Sequence, residues 1–262
     1  MDPMRTLDHR AWQLEVEDTF PGVELDRSLW LPCYLPQWSS RTASAARYRV
    51  GDGLLRLLVE PDQPPWCPEF DGAVRVSNLQ TGVRSGPLGS RDGQHRFSDA
   101  LVVREEQPEQ WLYTPRYGLV EVRARMQLDT DGMAALWLIG IEDRPERSAE
   151  ICVFEVFGRD VRPSSAAVGM GLHPFGDPRL REDFVRPELP IDVTGFHEYA
   201  VAWTPSSLGC YVDRQLVHVV RQSPDYPVQA MLDVYAFPAG DAPPRPQELV
   251  VDWFRGWRPA GR

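Results

Sequence analysis

The 262-residue sequence predicts an all-β fold, two antiparallel sheets packed as a sandwich, on three observations. Short runs of β-branched, aromatic and alternating residues recur along the chain, while long helical periodicity is scarce. Gly, Pro and Asp punctuate those runs, and there are 25 prolines in all, as a sandwich with many turns requires. Hydrophobic residues make up 42% of the chain, enough for a sizeable core.

The strand runs follow in order: 53–60 (GLLRLLVE), 117–128 (YGLVEVRARMQL), 133–141 (MAALWLIGI), 149–158 (AEICVFEVFG), 197–204 (HEYAVAWT), 208–220 (LGCYVDRQLVHVV), 230–238 (AMLDVYAFP) and 249–259 (LVVDWFRGWRP). In 117–128, Val120, Val122, Ala124 and Met126 fall on one face and Glu121, Arg123 and Arg125 on the other. That is the alternation of a half-buried antiparallel strand. In 208–220 the pair Asp213-Arg214 marks a tight hairpin turn between two β runs. Segments 61–98 and 159–195, rich in Pro, Gly and charge, read as long surface loops, the kind that carry function. No repeat or linker divides the chain, so residues 1–262 read as one domain.

The formal charge is −10, which disfavours a nucleic-acid backbone or an anionic membrane as partner. No apolar run approaches the length of a membrane span. The start of the chain carries acids and no apolar leader, so the expected location is cytoplasmic, or secreted if a leader was removed. All 28 basic residues are Arg, a bias with no functional reading. Cys33, Cys67, Cys152 and Cys210 form no CxxC pair, which excludes the usual zinc and thioredoxin spacings and leaves only a Cys33–Cys67 disulfide open. HExxH, GxSxG, GxxxxGK[ST] and helix-opening GxGxxG patterns are absent, and the five histidines are scattered.

The segment Glu150-Ile151-Cys152-Val153-Phe154-Glu155 stands out, because two carboxylates sit inside an otherwise apolar strand. On a regular strand, positions five apart face opposite sides; one extra residue, a β-bulge, would bring Glu150, Cys152 and Glu155 onto one face. Paired carboxyls roughly 5–5.5 Å apart are what retaining glycoside hydrolysis needs, one as nucleophile and one as acid/base. The alternative is a pair of surface glutamates at strand edges.

The surrounding blocks resemble glycoside hydrolase family 16, the laminarinase-like β-glucanases, whose bulged subgroup carries Glu-x-Asp-x-x-Glu. Residues 117–125 (YGLVEVRAR) match the family's YGRFEARIK strand, and 135–140 (ALWLIG) match its Trp-containing strand. Residues 196–205 (FHEYAVAWTP) are similar to FHxYAVEWTP, 211–217 to YVDGxLV, and 251–257 (VDWFRGW) to VDYVRVW. Weaker matches are Asp18-Thr19-Phe20 to DEF and residues 52–55 to DGxL. The resemblance implies a jelly-roll sandwich with a concave substrate groove, Glu150 as nucleophile and Glu155 as acid/base. Cys152 replaces the family's middle Asp. A neutral thiol removes a charge and a strong hydrogen-bonding partner, and the reduced repulsion is expected to lower the pKa of Glu155. The resemblance also implies a functional His173 near the cleaved bond and Trp137 as a groove wall.

Sugar rings stack on aromatic faces, so Trp38, in a polar N-terminal loop, reads as an exposed platform. Trp111 and Trp66 are further candidates, Trp203 suits groove or core, and Trp253 and Trp257 suit core or sheet surface. Arg75, Asn78 and Gln80 are candidates for sugar hydroxyls. No catalytic cofactor is expected; by the resemblance Asp252 and the Gly53 carbonyl would hold a structural Ca²⁺. The reading is a monomeric retaining endo-glycoside hydrolase of a β-linked polysaccharide, a 1,3- or 1,3/1,4-β-glucan, without nucleic-acid or membrane partners. Its rivals are a non-catalytic carbohydrate-binding protein, a transglycosylase and a plain structural domain.

Overall fold

The computed structural model describes residues 6–238 and 245–260. Among the described residues strand is the rule, with one four-residue α-helix at Pro68–Asp71 and three short 3₁₀ turns. The outer sheet runs, in spatial order, Gln215–Val220, Ser207–Val212, His197–Thr204, Gly118–Gln127, Gln247–Pro259, Leu54–Val59 and Arg47–Gly51, with Trp12–Asp18 also paired to Gln247–Pro259. The inner sheet runs Asp183–Val185, Gly169–His173, Glu150–Phe157, Gly132–Gly140, Val228–Ala236 and Arg75–Gln80. Every pairing within both sheets is antiparallel.

The main core lies between the sheets. Val120, Val122, Ala124 and Met126 face it from the outer sheet, as their alternation predicts. Ala134, Leu136, Leu138, Ile151, Val153, Phe154, Leu232 and Val234 face it from the inner one. Phe154 and Tyr199 meet across the interface with ring centroids 4.6 Å apart. The polar face of Gly118–Gln127 is less open than alternation suggests, since His9 covers Glu121 at 2.9 Å. Asp213 and Arg214 both take left-handed backbone angles, φ 46° and 65°. Two such residues in a row, with Val212 opposite Gln215, give the primed hairpin turn that matches strand twist.

Two expected loops are structured. Segment 61–98 contains the strand Arg75–Gln80, and 159–195 contains Gly169–His173 and Asp183–Val185, all three in the inner sheet. RVSNLQ reads as a loop because its alternation is polar on one side. That side faces a second, smaller cluster built from the N-terminal loop (Tyr34, Leu35, Trp38) and from Trp66, Leu101 and Val103. Those loops roof part of the inner sheet's outward face. All four cysteines are buried and free, so no Cys33–Cys67 disulfide forms. Among the described residues no helix is long and apolar enough to cross a membrane.

Phe154 is fully buried at the sheet interface, and its truncation leaves a cavity. Phe154→Ala is expected to destabilise the protein by about 3–5 kcal/mol, as measured by denaturant unfolding.

Candidate active site

The register around Glu150–Phe157 contains the bulge. Toward Gly132–Gly140, Phe154 pairs with Leu136 but Cys152 with Trp137, so Val153 has no partner of its own. Toward Gly169–His173, Glu155 pairs with Gly169 and Cys152 with Gly171, again one residue in excess. The consequence is that Val153 and Phe154, adjacent in sequence, both point into the main core. Glu150, Cys152 and Glu155 then share the opposite face. Three rows of side chains cross the sheet there: Glu155–Ala135–Asp233–Asn78, Cys152–Trp137–Met231–Gln80, and Glu150–Ile139–Gln229.

The two carboxyls have unlike surroundings. Glu150 is 5% exposed, and among the described residues no side chain ion-pairs with it. Burial, then the negative charge of Glu155, pushes its pKa up to about 8. Glu155 ion-pairs with Arg186, which also lies 3.5 Å from Asp160 and stacks on Phe157. Burial raises Glu155 as well, while Arg186, then His173 and Arg159, pull it back. Burial is the larger of these influences, so Glu155 stands above the usual carboxylate range. Of the two, Glu150 is shifted further toward its protonated form.

Cys152 is fully buried, with its thiol donating to the Gly169 carbonyl at 3.6 Å. Burial drives its pKa well up, so it stays a neutral thiol. His173 lies opposite Glu150 in the register and reaches Glu182 at 2.8 Å, with its ring against Phe184 at 4.5 Å. Trp137 sits beside Cys152, half-buried, its ring 5.8 Å from that of Tyr235.

Other expected sugar contacts do not reach the pair. Trp38 is fully buried, because the 3₁₀ turn Pro36–Trp38 tucks the ring inward and its Nε1 donates to the Gln94 carbonyl at 2.8 Å. Trp66 is buried and bonded to Asp71. Trp203 is in the main core. Trp111 is exposed, on a two-residue strand paired to Gly82, with its Nε1 donating to Glu109. Arg75 ties down the backbone of Gln63 and Ala73. The Asn78 amide donates to the Cys33 carbonyl, and Gln80 holds Leu35 and Gly82. Asn78 and Gln80 thus hold the N-terminal loop in place, and the buried Asn78 Oδ1 is left without a partner.

Asp252 is the bulged residue of Gln247–Pro259 and pairs with Arg123. Gly53 serves a left-handed turn, φ 71°. The Asp252 carboxylate, the expected cation ligand, is thus held by a guanidinium, and among the described residues no group of three or more His, Cys, Asp or Glu gathers.

Sequence reasoning missed Arg186, Phe184 and Asp233. Arg186 comes from a segment without periodicity, so nothing marks it. Asp233 carried the same signal as Glu150, an acid inside an apolar strand. It is fully buried, both oxygens lack a partner among the described residues, and burial followed by the charge of Glu150 drives its pKa far up. It is a neutral acid.

The comparisons with known proteins concern the family and the fold. A family model described as Glycosyl hydrolases family 16 matches residues 113–255. A curated relative, Endo-1,3-1,4-beta-glycanase EglC of Rhizobium meliloti (strain 1021), is 26% identical over 205 residues, 77% of this chain and 35% of that protein. The GlcNAcα1-4Gal-releasing endo-β-galactosidase of Clostridium perfringens superposes with a TM-score of 0.84 at 30% identity, covering 99% of this chain and 65% of that one. SCLam, a non-specific endo-β-1,3(4)-glucanase co-crystallised with an oligosaccharide at its active site, shares the fold, with a TM-score of 0.69, 17% identity and 97% of each chain covered. This chain thus spans about a third of the length of EglC and just under two thirds of the endo-β-galactosidase chain.

Two predictions follow from the carboxyl environments. Glu150 titrates near its ordinary 4.5 when unfolded and near 8 when folded, so its burial costs nothing below pH 4.5 and progressively more up to pH 8. Glu150→Gln is expected to melt like the parent at pH 4 and several degrees higher at pH 8, by calorimetry. Arg186→Gln removes the cation that holds Glu155 down. If Glu155 works as an acid, the alkaline limb of the pH–rate profile moves to higher pH; an unmoved limb refutes that role.

Proposed function

Because this chain belongs to glycosyl hydrolases family 16, we propose that it cleaves β-linked glycan chains internally with retention of anomeric configuration. The observation that carries the reading is the bulge that sets Glu150 and Glu155 on one face. Glu150 attacks the anomeric carbon while Glu155 gives its proton to the departing oxygen. The glycosyl–Glu150 ester is then broken by a water whose proton Glu155 accepts. His173, opposite Glu150, orients the site, and Trp137 forms its wall. Cys152 supports the strand by packing and the Gly169 contact, without charge.

The likeness to the endo-β-galactosidase, higher in both identity and superposition than that to the glucanase, favours a β-galactosidic bond. The likeness to EglC supports the other reading, a 1,3- or 1,3/1,4-β-glucan. Cys152 and the Arg186 clamp favour one rival, a protein on this fold that binds glycan without turning it over.

Reducing-end release from a panel of β-galactans and β-glucans across pH 4–9 decides among these. The expected result is release from one class, abolished in Glu150→Gln and reduced about 10²–10⁴-fold in Glu155→Gln, with the first product in the β configuration by NMR. Saturable binding without release supports the binding protein, and inverted product refutes the mechanism. Transfer to added acceptor sugar in preference to water identifies a transglycosylase.

A further inference from the structure

Carboxyls that flank a scissile bond fix the line of the chain they cut. Glu150 and Glu155 are separated along their own strand, so a glycan passing between them crosses that strand and runs along the rows of the inner sheet. The middle row reads Phe184, Gly171, Cys152, Trp137, Met231 and Gln80. Its two ends differ. On the Gly171 side, Phe184, His173 and Arg186 each keep part of their surface in water. Among the described residues, none of Gly169–His173 or Asp183–Val185 belongs to the cluster that roofs the sheet. Trp137 is also partly exposed. Beyond it the rows are sealed, with Met231, Gln80, Asp233, Asn78 and Gln229 all buried.

The seal is built into the sheet rather than laid on it. Gln80 exchanges backbone bonds of 2.8 and 3.0 Å with Leu31, and its side chain accepts from the Leu35 N–H at 3.2 Å. The Asn78 amide donates to the Cys33 carbonyl at 2.7 Å, and the Trp66 N–H to the Val74 carbonyl at 3.2 Å. On that base Tyr34 stands edge-on to Trp66 at 4.7 Å and to Tyr235 at 5.6 Å. Tyr235 in turn lies against Trp137. These rings pack with Met231 and fill the space a glycan would need above it. Displacing them would expose a packed apolar cluster and break its hydrogen bonds, a cost that a few sugar contacts do not offset. Neighbouring strands lie about 4.8 Å apart, close to the length of one pyranose ring, which leaves room for about two rings between the cleaved bond and the seal.

We propose that the groove stops at this wall, so that the protein takes only an end of a glycan chain and cuts a fixed short distance from it. The inference rests on the hydrolase reading and narrows it, because the bond that breaks is then counted from a chain end. Tyr34 and Trp66 set this limit without touching a reacting atom.

The test follows the parent protein on linear β-1,4-galacto- and β-1,3-gluco-oligosaccharides of four to eight rings, with products resolved from the earliest times. One short fragment of about two rings is expected from every substrate length. A bulky acetal on the terminal ring at one chain end should abolish cleavage, while a label at the other end is tolerated; the end that must stay free is the one that meets the wall. A ladder of lengths at early times, or equal cleavage with either end blocked, overturns the proposal and leaves the hydrolase reading intact. Absence of cleavage overturns the hydrolase reading, and calorimetry with the same free and blocked chains then decides the proposal. One of the two blocked forms is expected to bind at least about tenfold more weakly than the free chain; equal affinities, or no binding at all, overturn it. Tyr34→Ala, which opens the wall beside Tyr235, should add longer fragments, and Tyr34→Phe should keep the single one. A folded Tyr34→Ala with the parent's product pattern overturns the role given to Tyr34, and the parent's own pattern needs no variant.

Discussion

Two adjacent apolar side chains, Val153 and Phe154, must both be buried in a strand whose geometry sends neighbours to opposite faces. The extra residue that reconciles them shifts the register by one from Glu155 onward. Without it, Glu155 would point into the core with Phe154's partners, and an unpaired carboxylate there is among the costliest groups to bury. The core therefore enforces the carboxyl pair: the packing of Phe154 against Tyr199 and the facing of Glu150 and Glu155 have a single geometric origin. The small residues beside the bulge fit the same scheme. Gly171 adopts φ 136° where a Cβ would lie 2.2 Å from the Asp183 carbonyl, so the neighbouring strand comes close only because that position is glycine.

The electrostatics built on this frame run against the order a retaining reaction needs. Catalysis requires a bare Glu150 and a protonated Glu155, whereas burial places the firmer proton on Glu150 and Arg186 steadies charge on Glu155. With a neutral thiol in place of the middle carboxyl, Glu155 is the charged neighbour Glu150 has on its own strand, and Asp233 stays neutral. A sugar in the groove would change both balances, by bringing hydroxyl donors to Glu150 and excluding water from the Arg186 pair. The resting arrangement is thus one that substrate must reorganise.

Much of this was readable in the residues. Alternation in YGLVEVRARMQL located the core face, and two acids in an apolar run located the bulge before any register was known. The failures have physical causes. Arg75–Gln80 was hidden because both its faces are covered, one by the sheet core and one by the roofing loop, so polar residues there satisfy backbone groups and break the apolar pattern. Trp38 was misplaced because its neighbours are polar, and local polarity says nothing about a distant segment, Gly93-Gln94, closing over the ring. Arg186 reaches Glu155 through a loop path that no spacing rule encodes.

Strand order also has a consequence in time. In the outer sheet, Gln247–Pro259 lies between Gly118–Gln127 and Leu54–Val59, and in the inner sheet Val228–Ala236 lies between Gly132–Gly140 and Arg75–Gln80. Both sheets therefore remain split while the chain is being synthesised, until these late strands leave the ribosome and insert between partners made long before. For that interval the flanking strands present open edges to any neighbour.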